Sequence, residues 1–283
     1  MELFGDPLIR TLAAPFAVAL LFGVIIRLAG RGGSGRRIAA AGAGIAFAWS
    51  AAFALGALPL PPEMGFDSVV TLAVAALVLG LGLDFYFNPE RDRGDWAAFL
   101  ELGLIILYGI GAPAWLRGGI DAWAAVILLA WGFTAFRMRA LAHDGVTPSV
   151  MLMMTAAGLG VIAWAAKLPV DQELGFGLAA AAAGFLVLSL ADRSLAFGAT
   201  ALLGFAGGIL TIGVRIAEEA AALIPAVLIL GFIFFTDSLI RRPALAKYAG
   251  NRLARSGLMI AAALAPIALA AAAALIGARF AGP

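Results

Sequence analysis

The chain lacks cysteine altogether and has a single histidine, His143, among its 283 residues. Without cysteine, disulfides, zinc–thiolate sites and thiol catalysis are excluded. Charge is also scarce: Asp, Glu, Lys and Arg make up 13% of the residues, against roughly 25% in soluble domains. Hydrophobic residues make up 63%, and the mean hydropathy is +1.03. This composition indicates an integral membrane protein.

The charge that is present does not indicate a nucleic-acid partner. The net charge is only +2, and the basic residues are spread over short loops instead of forming one patch. The N-terminal residues include Glu2 and Asp6, whereas a signal peptide begins with basic residues. We therefore predict that the first apolar run is retained as a membrane span.

Ten segments have the roughly 20 mostly apolar residues that a helix needs to cross a bilayer. They lie at about 8–29, 38–60, 68–88, 96–115, 121–141, 149–167, 173–191, 195–215, 221–241 and 257–279. The loops between them are too short to contain a soluble domain. The sequence thus predicts an all-α protein in which residues 1–283 form one domain of ten transmembrane helices.

The basic residues predict the orientation of these spans. Of the 19 lysines and arginines, 14 follow odd-numbered spans: Arg27, Arg31, Arg36, Arg37, Arg91, Arg93, Arg137, Arg139, Arg193, Arg241, Arg242, Lys247, Arg252 and Arg255. Loops rich in arginine and lysine stay in the cytoplasm. Both termini are therefore predicted on the extracytoplasmic side.

Acidic residues inside or at the ends of spans are candidate functional groups, because charge is costly in a membrane. Asp84 and Asp192 end spans three and seven, close enough to the interface to be solvated. Glu101 is deeper in span four and requires a partner or a water-filled recess. Asp237 is four residues before Arg241, a spacing that favours an ion pair on one helix face.

One charged stretch, TAFRMRALAHDGV at residues 134–146, closes span five. Arg137 and Arg139 are typical of basic anchors at a cytoplasmic helix end, and a lone histidine such as His143 more often faces solvent than binds a ligand. From the residues alone, this stretch is interpreted as a helix end, with a binding site as the alternative.

The order of several segments resembles the polyprenyl-phosphate N-acetylhexosamine-1-phosphate transferases, the MraY/WecA-like family, and is closest to its WecA-like branch. The segments are AGRGGSGRRIAAAGAGIAF, VLGLGLDFYF, TAFRMRALAHDGV, AAAGFLVLSLADRSLAFGATALLGF, IPAVLILGFIFFTDSLIRR and KYAGNRLARSGL. The resemblance covers nearly the whole chain. It implies ten spans, extracytoplasmic termini and a site at the cytoplasmic face of a bacterial inner membrane.

The family transfers a sugar phosphate from a UDP-sugar to a lipid phosphate, and the resemblance implies that Mg²⁺ held by carboxylates would support this step. This sequence departs from that pattern in four segments. Phe85 follows Asp84 in place of a second aspartate, and Ala199 or Phe197 stands at another metal-binding aspartate. In TAFRMRALAHDGV, Thr134 and Arg137 stand at two asparagines of the family, and Ala140 and His143 stand at two aspartates, although a one-residue shift retains Asp144-Gly145. In KYAGNRLARSGL, Tyr248, Gly250 and Asn251 stand at the family's histidines, and Arg252 is retained.

Three hypotheses follow. The first is a non-catalytic relative that binds a polyprenyl phosphate, a nucleotide-sugar or an envelope-biosynthesis partner, with no cofactor expected and homodimerisation as an option. Its candidate phosphate-binding residues are Arg36, Arg37, Arg137, Arg139, His143, Arg241, Arg242 and Arg252. The second is an active transferase whose Mg²⁺ would be held among Asp84, Asp144, Asp192 and Asp237. The third is an unrelated ten-helix transporter with Glu101 on its path.

Overall fold

A computed structural model of the protein describes residues 6–30, 33–55, 68–86, 95–119, 122–142, 144–242 and 251–280. Every regular element within these ranges is a helix. In chain order the helices are α1 (Ile9–Ala29), α2 (Gly33–Ile38), α3 (Ala41–Leu55), α4 (Val69–Tyr86), α5 (Asp95–Arg117), α6 (Ala122–Ala140), α7 (Val146–Ala165), α8 (Pro169–Ala191), α9 (Ala199–Glu219), α10 (Ala221–Ile240) and α11 (Arg252–Phe280).

In the described ranges, nine helices are long and apolar enough to cross a membrane. They coincide with nine of the ten predicted spans, which confirms a multi-pass helical membrane protein. The helix at the fifth predicted span, α6, is 19 residues long and is not among the nine. The tenth crossing and the side on which each terminus lies stay predictions.

The central helices are α7, α8 and α9, whereas α1 and α11 are peripheral. In α7 and in α9, 83% of the most apolar window is buried, compared with 17% in α1 and 22% in α11. Small residues allow the central helices to approach closely. A Cβ atom added at Gly175 of α8 would lie 2.7 Å from the Cα atom of Gly160 on α7. Such close van der Waals contacts hold helices together inside a bilayer, where the hydrophobic effect does not drive their association.

Besides the π-helical start of α1 at Ile9–Ala13, two helices have irregular backbone segments in their interior. In α9 the hydrogen bonding is π-helical over Leu202–Ala206, and in α10 it is 3₁₀-helical over Leu230–Phe235. Proline does not cause the second irregularity, because Pro225 lies in the first turn of the regular α-helical part of α10. Irregular turns inside helices frequently accompany functional sites.

Ion pairs fall into two groups at opposite ends of the bundle. The arginine-rich end comprises the last turns of α1, α4, α6, α8 and α10 and the residues that follow them. Its pairs are Arg27–Asp192, Arg37–Asp84, Arg137–Asp237, Arg241–Asp237, Arg139–Glu101 and Arg255–Asp144. The opposite end has Arg10–Glu173, Arg117–Glu218 and Arg215–Asp171. Among the described residues, no pair joins the two ends.

Candidate functional site

Asp84, in the last turn of α4, is buried at the point where α9 begins. Its two carboxylate oxygens accept the backbone N–H groups of Ala199 at 3.0 Å and Thr200 at 2.8 Å. The guanidinium of Arg37 lies 3.1 Å from the same carboxylate. A helix N-terminus and an arginine both favour a negative charge. The Asp84 carboxylate is therefore neutralised from both sides.

Asp237 of α10 is held between two arginines. Its side chain is 2% exposed and pairs with Arg137 from α6. Arg241, four residues further along α10, lies 3.6 Å away and is 66% exposed. The prediction of an Asp237–Arg241 pair is confirmed, but Arg137 is the more enclosed partner. Arg137 also donates from Nε to the Phe234 carbonyl oxygen at 3.1 Å, so it bonds to the irregular segment of α10.

Glu101 has the partner that its position in α5 requires. Its carboxylate accepts a hydrogen bond from Arg139 of α6 at 3.1 Å. Arg37 and Asp84 are near enough to Glu101 to act on it electrostatically. These four residues therefore form one charge cluster that joins α2, α4, α5 and α6 at the arginine-rich end.

Asp144 lies two residues before α7 and has local partners. Its carboxylate accepts hydrogen bonds from the backbone N–H of Val146 and the hydroxyl of Thr147, and it lies 3.2 Å from Arg255 of α11. Arg252, one turn earlier on α11, donates to the Ser189 carbonyl oxygen at 3.5 Å. His143, also proposed for this region, lies outside the described residues.

Asp192 follows α8 and is bound mainly by its own loop. The hydroxyl and the backbone N–H of Ser194 donate to it at 2.6 and 2.8 Å. Arg27 of α1 donates from Nε at 2.8 Å. These hydrogen bonds, with those from Ser194 as the largest cause, lower the pKa of Asp192 to about 2.

Among the described residues of the same end, four arginines are exposed to the surroundings: Arg36, Arg193, Arg241 and Arg242. Neither Arg36 nor Arg242 forms an ion pair within the described part of the chain. An exposed guanidinium at a membrane surface is a donor for phosphate oxygens, which it binds with two parallel N–H groups. The arginine-rich end is therefore suited to an anionic ligand.

The acidic residues of the described ranges fit a divalent cation poorly. Mg²⁺ requires oxygen ligands in nearly octahedral geometry. In the described ranges, no three acidic or histidine side chains lie close enough together to hold a metal ion. Each of Asp84, Asp144, Asp192 and Asp237 already pairs with an arginine. A metal would have to displace that cation or share the carboxylate with it.

The positions of the described acidic residues also bear on the hypothesis that the protein is a transporter. Asp84, Asp237 and Glu101 lie within seven residues of a helix end and pair with arginines of the arginine-rich end. Asp171 and Glu173 lie in the first turns of α8, at the opposite end. A transporter of the inverted-repeat type has its binding groups near the bilayer midplane. No described acidic residue occupies such a position.

Five acids were identified from the sequence, although most of their partners were missed; these acids are Asp84, Glu101, Asp144, Asp192 and Asp237. Arg27 and Arg255 were interpreted only as basic anchors, and Ser194 was not considered. The buried pair of Asp171 with Arg215, at 2.7 Å, was also missed, because Asp171 falls before the predicted start of span seven. The residues of each long-range pair are distant in sequence, so no local pattern connects them.

The chain matches no protein-family model, and a search among curated proteins found no match.

Proposed function

We propose that this is a ten-span protein with the scaffold of the polyprenyl-phosphate sugar-1-phosphate transferases that has lost the transfer chemistry and binds a polyprenyl phosphate. It would act in envelope-polysaccharide or lipid-linked sugar metabolism, in a bacterial inner membrane with its arginine-rich end in the cytoplasm. The observation that carries this proposal is the state of the four candidate aspartates. Each is paired with an arginine, while other arginines of the same end stay exposed.

The paired aspartates support the loss of transfer. Phosphoryl transfer depends on metal ions that neutralise the charge developing on the phosphate oxygens. At Asp84 and Asp237 that positive charge is replaced by fixed guanidinium groups, and Asp84 also caps α9. A carboxylate used in this way is a structural group. The arginines can still bind a phosphate without activating it.

The exposed arginines support the proposal that the ligand is a lipid phosphate. Arg241 and Arg242 follow the last turn of α10, and Arg36 lies in α2. A basic residue near an anionic membrane surface contributes about 1 kcal/mol of attraction. A lipid phosphate could place its head among these side chains while its isoprenoid chain stays in the bilayer. The uncharged alcohol of the same length lacks the group that the arginines recognise.

The test is a comparison of undecaprenyl phosphate with undecaprenol. Binding to the purified full-length protein in nanodiscs would be measured for the native chain and for the double variant Arg241→Gln/Arg242→Gln. We expect the native chain to prefer the phosphate and the double variant to bind it about 30-fold more weakly, from two contacts of about 1 kcal/mol each. Arg279→Gln, at the far end of α11, is the matched control. Equal affinity for the phosphate and the alcohol would refute the proposal.

A second candidate, an active transferase, is favoured by one observation. Asp84 lies against the start of α9, so two segments that resemble metal-binding parts of the family are in contact. The assay is UMP release from a panel of UDP-N-acetylhexosamines with undecaprenyl phosphate and Mg²⁺. Release that EDTA abolishes, and that Asp84→Asn or Asp144→Asn reduces, would replace the non-catalytic proposal with this one.

A further inference from the structure

An apolar cavity of about 380 Å³ lies between α6 and the helices α7, α9 and α10. This volume is within the range of about 300–1,000 Å³ found for small-molecule sites. Its wall includes Trp131, Leu159, Ile209 and Val227. The two hydroxyls in the wall, of Thr134 and Thr155, donate to backbone carbonyls of their own helices. Both hydroxyl hydrogens are therefore already used within the helices, and the rest of the wall in the body of the cavity is mainly apolar.

The cavity opens sideways, toward the lipid, between α6 and α10. Three apolar residues of its lining are themselves exposed on the surface of the bundle: Val126 at 45%, Phe133 at 43% and Leu228 at 56%. Gly231 of α10 lines the same space, and a Cβ atom added there would meet nothing within 4 Å. The side of the cavity between α6 and α10 is therefore apolar, as the entry of an apolar chain from the bilayer requires.

The charged residues of the lining are confined to one end of the cavity. Arg117, the last residue of α5, donates from Nε to Glu218 of α9 at 2.6 Å. The side chain of Arg117 is 15% exposed, and that of Glu218 is 36% exposed. A cation and an anion thus stand together at the opposite end of the bundle, away from the arginine-rich end.

The dimensions of the cavity match one leaflet of a bilayer. The lining extends along α9 from Glu218 to Ala206, which at 1.5 Å per residue is about 18 Å. Half of a hydrocarbon core of about 30 Å is about 15 Å. An acyl chain whose headgroup lies beside Arg117 and Glu218 would fill the cavity without crossing the midplane by more than a few ångströms.

We infer that this cavity is a binding site for a zwitterionic phospholipid with a primary ammonium headgroup, drawn from the leaflet at the Arg117–Glu218 end. One acyl chain lies in the apolar body, the phosphate faces Arg117 and the ammonium faces Glu218. Because Arg117 and Glu218 lie 2.6 Å apart, the headgroup would lie alongside this ion pair and share it, with each of its charges next to the opposite charge of the protein. Phosphatidylglycerol offers only the negative charge, and diacylglycerol offers none.

The test is native mass spectrometry of the purified full-length protein titrated with phosphatidylethanolamine, phosphatidylglycerol or diacylglycerol. We expect one phosphatidylethanolamine per chain, retained about 10-fold more tightly than phosphatidylglycerol and about 100-fold more tightly than diacylglycerol, as one and two lost charge-assisted contacts of about 1.4 kcal/mol each predict. Gly231→Leu and Ala130→Phe fill the cavity from opposite walls, and each should reduce retention at least tenfold. Gly111→Leu, on an exposed and open face of α5, is the matched control.

The outcomes separate this site from the arginine-rich end. If both filled variants melt like the native chain and still retain the lipid, the cavity is not the site. If diacylglycerol binds as tightly as phosphatidylethanolamine, the role of Arg117 and Glu218 is refuted. The Arg241→Gln/Arg242→Gln variant should retain phosphatidylethanolamine fully, since those arginines lie at the other end. Loss of the lipid in that variant would also overturn the inference.

Discussion

The guanidinium of Arg37 lies 3.1 Å from the carboxylate of Asp84, whose side chain is completely buried. This pair joins α2 to α4, and the hydrogen bonds from Ala199 and Thr200 extend the connection to α9. Three helices that are distant in sequence therefore meet at one carboxylate. Asp84, one of the candidate catalytic residues from the sequence, is in this fold a connection between helices.

Replacing Asp84 by alanine should destabilise the protein strongly. The change leaves Arg37 and two backbone N–H groups without their acceptor, and breaking a buried ion pair costs about 3–5 kcal/mol. Thermal unfolding followed by circular dichroism would measure the loss. Asp144→Ala, which removes a carboxylate that is 29% exposed, should cost less. Equal losses in the two variants would contradict the structural role of Asp84.

The two arginines beside Asp237 should differ in their contribution to stability. Arg137 is 24% exposed and also bonds to the Phe234 carbonyl, whereas Arg241 is 66% exposed. Arg137→Gln should lower the free energy of unfolding by about 2–3 kcal/mol, and Arg241→Gln by about 1 kcal/mol or less. Chemical denaturation of both variants would test the order. A larger effect of Arg241→Gln would reverse the assignment of the main partner.

Gly80 should not tolerate a side chain, because α4 and α9 touch there. A Cβ atom at Gly80 would lie 2.6 Å from the Cα atom of Thr200. Forcing an extra carbon into such a contact typically costs about 1–3 kcal/mol, so Gly80→Ala should lower the melting temperature. Gly82→Ala, two residues further along α4 and open to its surroundings, should leave it unchanged or raise it slightly. Similar behaviour of the two variants would argue against the contact.

The contribution of Asp192 to stability should depend on pH at the acidic extreme only. Its pKa of about 2 is below the value of 3.8 for an unperturbed aspartate, chiefly because of the hydrogen bonds from Ser194. A lowered pKa means that the stabilisation is complete above about pH 4 and is lost as the pH falls toward 2. The difference in melting temperature between the native chain and Asp192→Asn should therefore be constant above pH 4 and shrink below it. A difference that already shrinks between pH 7 and 5 would refute this assignment.

The positions of the helices could be predicted well from the sequence. Uninterrupted apolar runs of membrane length predicted the nine candidate spans, and the alternation of basic residues predicted which helix ends lie together. The described ion pairs agree with that alternation at both ends of the bundle. Length and hydrophobicity are local properties, so a single sequence is enough to find them.

The candidate site could be predicted only in part. The i, i+4 spacing of Asp237 and Arg241 predicted their pair, and the position of Glu101 predicted that it needs a partner. The choice of Arg137 for Asp237 and of Arg139 for Glu101 depends on how α6 packs between α5 and α10. No periodicity in the sequence specifies that packing.

The sequence by itself determined that the protein is a helical membrane protein with its basic residues gathered at one end, because burial in lipid restricts composition directly. Only the tertiary structure decided what the charged residues do. Asp84 caps α9 and pairs with Arg37. The apolar faces of α6, α9 and α10 line a cavity beside Arg117 and Glu218. Both results depend on contacts between residues distant in the chain, and such contacts exist only once the helices have packed.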